Sequence, residues 1–273
     1  MSYYYFLARP RTDVSTTLTI TQFVPNALGK KLRTTPFDIA VYSLDRGDNW
    51  WLLRDDLSFG NSQHVTVSSD QLGLDNGEIA VVVPVPAGFS PATRTRELPA
   101  ATTRTVGGSP VAARGSLRFH WSGISSSYQS EYPAVMAERT TGSINSFNLS
   151  ALPQGRNATV LFCAVNITRD ASHSSRDYSI LPISQDGIPL RHATATAQRN
   201  GCTVIEMNSV EAASRLAYSS RDAVFLPIYV TLSTSPQGPE MSVEHTHPPH
   251  EMFWLRSSQA YCVPRLRDSW LRA

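Results

Sequence analysis

Asp75-Asn76-Gly77-Glu78-Ile79-Ala80-Val81-Val82-Val83-Pro84-Val85 is the stretch whose reading decides the fold. Asn and Gly tolerate positive φ, so Asp75-Asn76-Gly77 is a turn signal. The run from Ile79 to Val85 is apolar throughout and rich in valine. Such a run reads as a strand covered on both faces, which requires a sheet with layers above and below it.

Working outward, a period of two appears. Leu18 and Ile20 alternate with threonines, and Phe37, Ile39 and Val41 alternate with Asp38, Ala40 and Tyr42. Residues two apart share one face of a sheet. Asp45-Arg46-Gly47-Asp48-Asn49 reads as a turn into Trp50-Trp51-Leu52-Leu53, making a hairpin. Val65 and Val67 begin another strand. Leu117, Phe119 and Trp121 fall on one face, with Arg118 and His120 on the other. Ala158 to Val165 is a second buried strand. Asp186-Gly187 marks a further hairpin between Leu181-Pro182-Ile183 and Ile188-Pro189-Leu190. Thr203-Val204-Ile205 is a strand, and Val224 to Leu232 is the last strong one. Pro227 inside it favours an edge or a bulge.

Two short helices are expected among the strands. Pro133 suits a first helical turn, Ala134 to Ala137 its body and Gly142 its end. Asn208 with Glu211 resembles a cap for a second helix, with Val210, Ala213 and Ala217 on one side. The expected fold class is mainly β: β-sandwich or partly open barrel modules with two short helices. Between strands, residues 89–115 are rich in Pro, Thr, Ala and Arg and poor in large apolar side chains. That composition reads as a flexible linker or long loop. It divides residues 1–88, an N-terminal β module, from residues 116–273, a C-terminal β-rich module.

Composition bounds the function. The 24 basic and 22 acidic residues leave a net charge of +2, too balanced to imply nucleic acid as a partner. Only Lys30 and Lys31 are lysines, and charged residues make up 17% of the chain. Low charge with many hydroxyls suits an all-β protein, and one whose surface is partly covered by partners. No apolar run approaches the roughly 20 residues that span a bilayer. The N-terminus lacks the charge and apolar pattern of a secretion signal, so a cytoplasmic location is expected. Three cysteines, Cys163, Cys202 and Cys262, are an odd number without close spacing, which argues against a disulfide framework.

One cluster could carry chemistry: Glu244-His245-Thr246-His247-Pro248-Pro249-His250-Glu251. On a strand, His245 and His247 point to the same side. Two prolines then turn the chain, and His250 or Glu251 folds back as a third ligand. Imidazole with carboxylate suits a divalent metal: Zn, Fe, Mn or Ni. His245-X-His247 followed after three residues by Glu251 resembles the first metal motif of cupins, which are small β-barrels. As in that family, the motif runs into an apolar strand, Met252-Phe253-Trp254-Leu255. The resemblance implies that His245, His247 and Glu251 are metal ligands. It also implies a further histidine; none follows His250, so His120 or His64 would stand in. The plain alternative is an exposed Pro-rich loop whose histidines bind nothing.

Trp121, Tyr128 and Glu131 form a second candidate, a set suited to a polar ligand such as a sugar or peptide. The alternative there is a polar turn leading into the helix near Pro133, with Ser127 or Ser130 as cap. The chain has no Gly-X-Ser-X-Gly, P-loop, Cys-X-X-Cys or His-Glu-X-X-His motif. At its end, Leu266 and Trp270 lie four apart and suit a short helix docked on its own chain. The expected function is therefore a non-enzymatic β-rich binding or assembly protein, with a protein partner or as a homo-oligomer. The alternative is a metal-dependent cupin-like enzyme using His245, His247, His250 and Glu251.

Overall fold

A computed structural model describes residues 3–22, 37–44, 49–59, 64–99, 105–106, 109–110, 113–130, 132–133, 143–148, 158–166, 176–184, 193–197, 201–208, 213–220 and 226–245. Every strand pairing among them is antiparallel, and strands are numbered along the chain.

A six-stranded sheet is built from β12 (Tyr132–Pro133), β1 (Tyr3–Ala8), β6 (Ile79–Pro86), β3 (Phe37–Leu44), β4 (Trp50–Ser58) and β7 (Arg94–Thr95), in that spatial order. A four-stranded sheet orders β11 (Ile124–Gln129), β10 (Ala113–Trp121), β2 (Ser15–Gln22) and β5 (His64–Ser68). A second orders β17 (Gly201–Asn208), β14 (Ala158–Asn166), β19 (Leu226–Ser235) and β20 (Gly238–His245). A third orders β13 (Ser143–Asn148), β18 (Ala213–Ser220), β15 (Arg176–Ser184) and β16 (Ala193–Ala197). β8 (Thr105–Val106) and β9 (Ser109–Pro110) form a small ribbon.

The valine run does what its composition requires. β6 lies between β1 and β3, with Val82 opposite both Tyr5 and Val41. Every residue from Ile79 to Val85 is buried. Leu18, Ile20, Leu117 and Phe119 point inward from β2 and β10 into the same core. That core also takes in Leu161, Cys163, Cys202, Ile228, Val230, Leu232 and Val243, so strands on either side of residues 89–115 share one apolar cluster. β20 lies against β11. Within 89–99 the chain is held: β7 pairs with Trp50 and Trp51 of β4, and Leu98 is buried.

The helical expectations need correction. Ala213–Ser220, the body expected for the second helix, is strand β18, paired with β13 on one side and β15 on the other. Asn208 ends strand β17 instead of capping a helix, and Val210 and Glu211 lie outside the described residues. The weak helical pattern of a few alanines loses to two rows of ladder hydrogen bonds. Pro133 belongs to strand β12, and residues 134–142 lie outside the described residues. β19 is likewise not an edge: it sits between β14 and β20. Pro227 is tolerated there because it is the second residue of the strand, before the pairing with β20 begins at Ile228. The turn at Asp186-Gly187 lies outside the described residues, while β15 and β16 on either side of it pair.

The helix among the described residues is α1 (Ser69–Leu72). Ser68 caps it through a capping box with Gln71, and Gly73, at φ 63°, closes it. Ser69 Oγ accepts the Thr16 amide at 3.0 Å and donates to the Thr16 carbonyl at 3.3 Å, which fixes α1 on β2. Ser68→Ala should lower stability by about 1 kcal/mol through loss of the cap. Ser69→Ala should cost about 1–3 kcal/mol, because it strips the buried Thr16 amide of its acceptor. Urea unfolding of both variants against the parent chain measures the difference.

Candidate functional site

The Trp121 and Tyr128 candidate lies on one hairpin. Trp121 pairs with Ile124 across Ser122-Gly123, whose φ values of 49° and 80° make a tight two-residue turn. The polar run from Ser125 to Gln129 is therefore the return strand β11, not a turn into a helix. Leu117 pairs with Tyr128. The two aromatics thus share a face but stand four rungs apart, about 13 Å along the strand.

Their surroundings differ. Tyr128 is buried, with its ring stacked on Phe119 at 6.2 Å between centroids. Burial raises its hydroxyl well above the ordinary tyrosine range. It is a core residue whose phenol stays protonated. Trp121 is half-buried, and its indole N–H donates to Asp13 Oδ2 at 2.9 Å. Arg11 donates to both oxygens of Asp13 and reaches Glu206 Oε1 at 3.3 Å. The Arg11 hydrogen bonds hold the Asp13 carboxyl below its usual range. This cluster joins the β1–β2 connection to β10 and β17. Glu131 lies outside the described residues.

Of the histidine cluster, the structure describes Glu244 and His245, which end β20 opposite Tyr229 and Ile228. His247, His250 and Glu251 lie outside the described residues. The two histidines that could complete a cupin-like set are placed. His120 is opposite Ser15 on β2, with Nε2 at 3.1 Å from Thr17 Oγ1. His64 is exposed at the start of β5, opposite Thr21. Six residues of β2 separate them, about 20 Å, so only one of the two could join a set with His245, His247 and Glu251. Among the described residues no group of three or more His, Cys, Asp or Glu side chains is placed to hold a metal ion. Whether the cluster holds a metal is tested on protein purified without a histidine tag, alongside the double variant His245→Ala with His247→Ala. Elemental analysis decides this: stoichiometric metal lost in that double variant would establish the cupin-like site.

A third feature was not legible as a site in the sequence. β4 begins with two tryptophans on opposite faces. Trp50 is fully buried, whereas Trp51 is 39% exposed and Leu53, on the same face, 37% exposed. Phe89, 41% exposed, lies on the segment that leaves β6 and returns beside β4. That segment is tied to the sheet at both ends: the Gly88 amide donates to Asp38 Oδ2 at 3.0 Å, and the Leu52 amide donates to the Thr93 carbonyl at 3.0 Å. The Arg94 guanidinium lies 5.3 Å from the centre of the Trp51 ring. Trp51, Leu53 and Phe89 are the large apolar side chains left exposed among the described residues; Trp51 and Leu53 share one face of β4, whereas Phe89 follows Gly88 at the other end of that strand, where Asp38 pairs with Ser58. The available signal was Trp50-Trp51-Leu52-Leu53 itself. Four apolar residues in succession on a strand place two on each face, and an outer strand covers only one of them.

No family model matches the chain, and no curated protein matches it. Solved structures match only distantly. A candidate β-galactosidase from Bacteroides fragilis is 9% identical at a TM-score of 0.22, covering 89% of this chain and 32% of its own. A glycosyl hydrolase family 2 member from Bacteroides cellulosilyticus is 8% identical at a TM-score of 0.22, covering 90% and 28%. A chain from a structure of manganese lipoxygenase of Gaeumannomyces graminis and zonadhesin of Komagataella pastoris is 9% identical at a TM-score of 0.21, covering 88% and 83%. This chain spans less than a third of the length of the first two. At these scores nothing about substrate or activity passes to it. No helix among the described residues is long and apolar enough to cross a membrane.

Proposed function

We propose that the chain is a non-enzymatic β-rich binding or assembly protein that acts through surface contacts, in the first place with further copies of itself. The observation that carries this reading is the exposed pair Trp51 and Leu53 on β4, with Arg94 over the Trp51 ring. Tryptophan and arginine are the residue types that dominate contact energies between proteins, and exposed apolar side chains gathered on one edge mark contact surfaces. A net charge of +2 over 273 residues leaves little mutual repulsion to oppose association. A cytoplasmic location belongs to the same proposal, since Cys163 and Cys202 are both unlinked.

Size-exclusion chromatography with light scattering tests it. The chain should show a mass above that of the monomer, rising with concentration. The combined variant Trp51→Ser, Leu53→Ser should run as a monomer with an unchanged circular dichroism spectrum. A strict monomer at high concentration that captures no partner in a pull-down would defeat the proposal.

A further inference from the structure

We propose that Cys163 and Cys202 form a redox-responsive pair, which a low-molecular-weight disulfide oxidises to one disulfide bond across β14 and β17. Nothing in the assembly reading requires this.

The register places the two residues together. Cys163 pairs with Val204 and Val165 with Cys202. The cysteines are thus two rungs displaced on facing strands, which puts both side chains on the same face as diagonal neighbours. Both are buried in the same core cluster. Cys202 stands at a junction: its amide donates to the Gly77 carbonyl at 3.2 Å, tying β17 to the turn that leads into β6.

Diagonal positions are about 7–8 Å apart between Cα atoms, and a disulfide spans up to about 6.8 Å. Closing the bond therefore asks one strand to move by about 1 Å. β17 is the strand able to do so, since it pairs with β14 alone among the described residues. Moving it alters the hydrogen bond from the Cys202 amide to Gly77, which couples the pair to the turn before β6. In the closed fold the Cys163 thiol is held protonated, first by its neighbour Cys202 and then by burial. A protonated, buried thiol is a poor nucleophile, so the reaction is slow and follows opening of the β17 edge.

With oxidised glutathione as the reagent, the step balances in two displacements. One cysteine thiolate attacks a glutathione sulfur, forming a mixed disulfide and releasing one glutathione thiolate. The second cysteine then attacks the first cysteine's sulfur and releases the second glutathione. The protein loses two electrons and two protons; the glutathione disulfide gains both and leaves as two thiols.

The test uses the full chain carrying Cys262→Ser, which leaves only this pair. Folded protein is incubated with oxidised glutathione, quenched with acid and weighed intact. The expected product has lost two hydrogens, joins the Cys163 and Cys202 peptides after digestion, and is restored by dithiothreitol. Its formation should accelerate several-fold in urea below the unfolding midpoint. Adding Cys163→Ser or Cys202→Ser should abolish it. Folded protein that stays fully reduced, or that carries only glutathione adducts, while the urea-unfolded chain forms the link, would overturn the proposal.

Discussion

A chain carrying Val82→Asp should fail to fold. Val82 is fully buried in the central strand of the six-stranded sheet, opposite Tyr5 on one side and Val41 on the other. Its neighbours Val81 and Val83 fill the opposite face and are buried as well. Among the described residues no basic side chain is buried to pair with a carboxylate there. Burying an unpaired charge costs several kcal/mol even after relaxation, out of a total stability of about 5–15 kcal/mol. Thr66→Asp, on the exposed face of β5, is the matching control and should fold normally. Far-ultraviolet circular dichroism and the soluble yield of both variants give the comparison. A folded Val82→Asp protein would mean that β6 is not enclosed.

The second large effect separates two adjacent tryptophans. Trp50→Ala should destabilise the chain by about 3–5 kcal/mol, because a fully buried indole leaves a cavity in the core. Trp51→Ala should cost no more than about 1 kcal/mol of stability, chiefly the contact with Arg94. It should instead weaken self-association. Urea unfolding combined with light scattering reads both quantities on both variants. Equal losses of stability would contradict the strand orientation on which the proposed contact surface depends.

These two variants also show where the sequence was informative. The buried central strand was legible in the valine run, and the inward faces of β2 and β10 in Leu18, Ile20, Leu117 and Phe119. In the first an unbroken apolar run, and in the others a period of two, coincided with burial. The β3–β4 hairpin was legible for the same reason, with Leu44 opposite Trp50 as the turn residues required. The strand at Ala213–Ser220 was not. Alanine, serine and arginine state no firm preference, and pairing on both sides decides the matter. Helix α1 escaped notice because its four residues are too few to show a period. Its only signals are the Ser68 and Gln71 capping box and Gly73.

The candidate site was less legible than the fold. Trp121 and Tyr128 were singled out by residue type. Type alone does not reveal that one faces the Phe119 ring in the core and the other is bound to Asp13. The histidine cluster was visible as a run of ligand types, of which the structure describes Glu244 and His245. Trp51 was visible as a residue. Its exposure follows from the position of β4 beside the two-residue strand β7, which no local pattern announces.

Amide hydrogen exchange, followed at low and at high protein concentration, puts the contact surface to the most direct test. Raising the concentration should slow exchange along Trp50–Ser58 and across residues 88–95, and leave β5 and β10 unchanged. Exchange along that edge that does not respond to concentration, while another face of the molecule becomes protected, would contradict it.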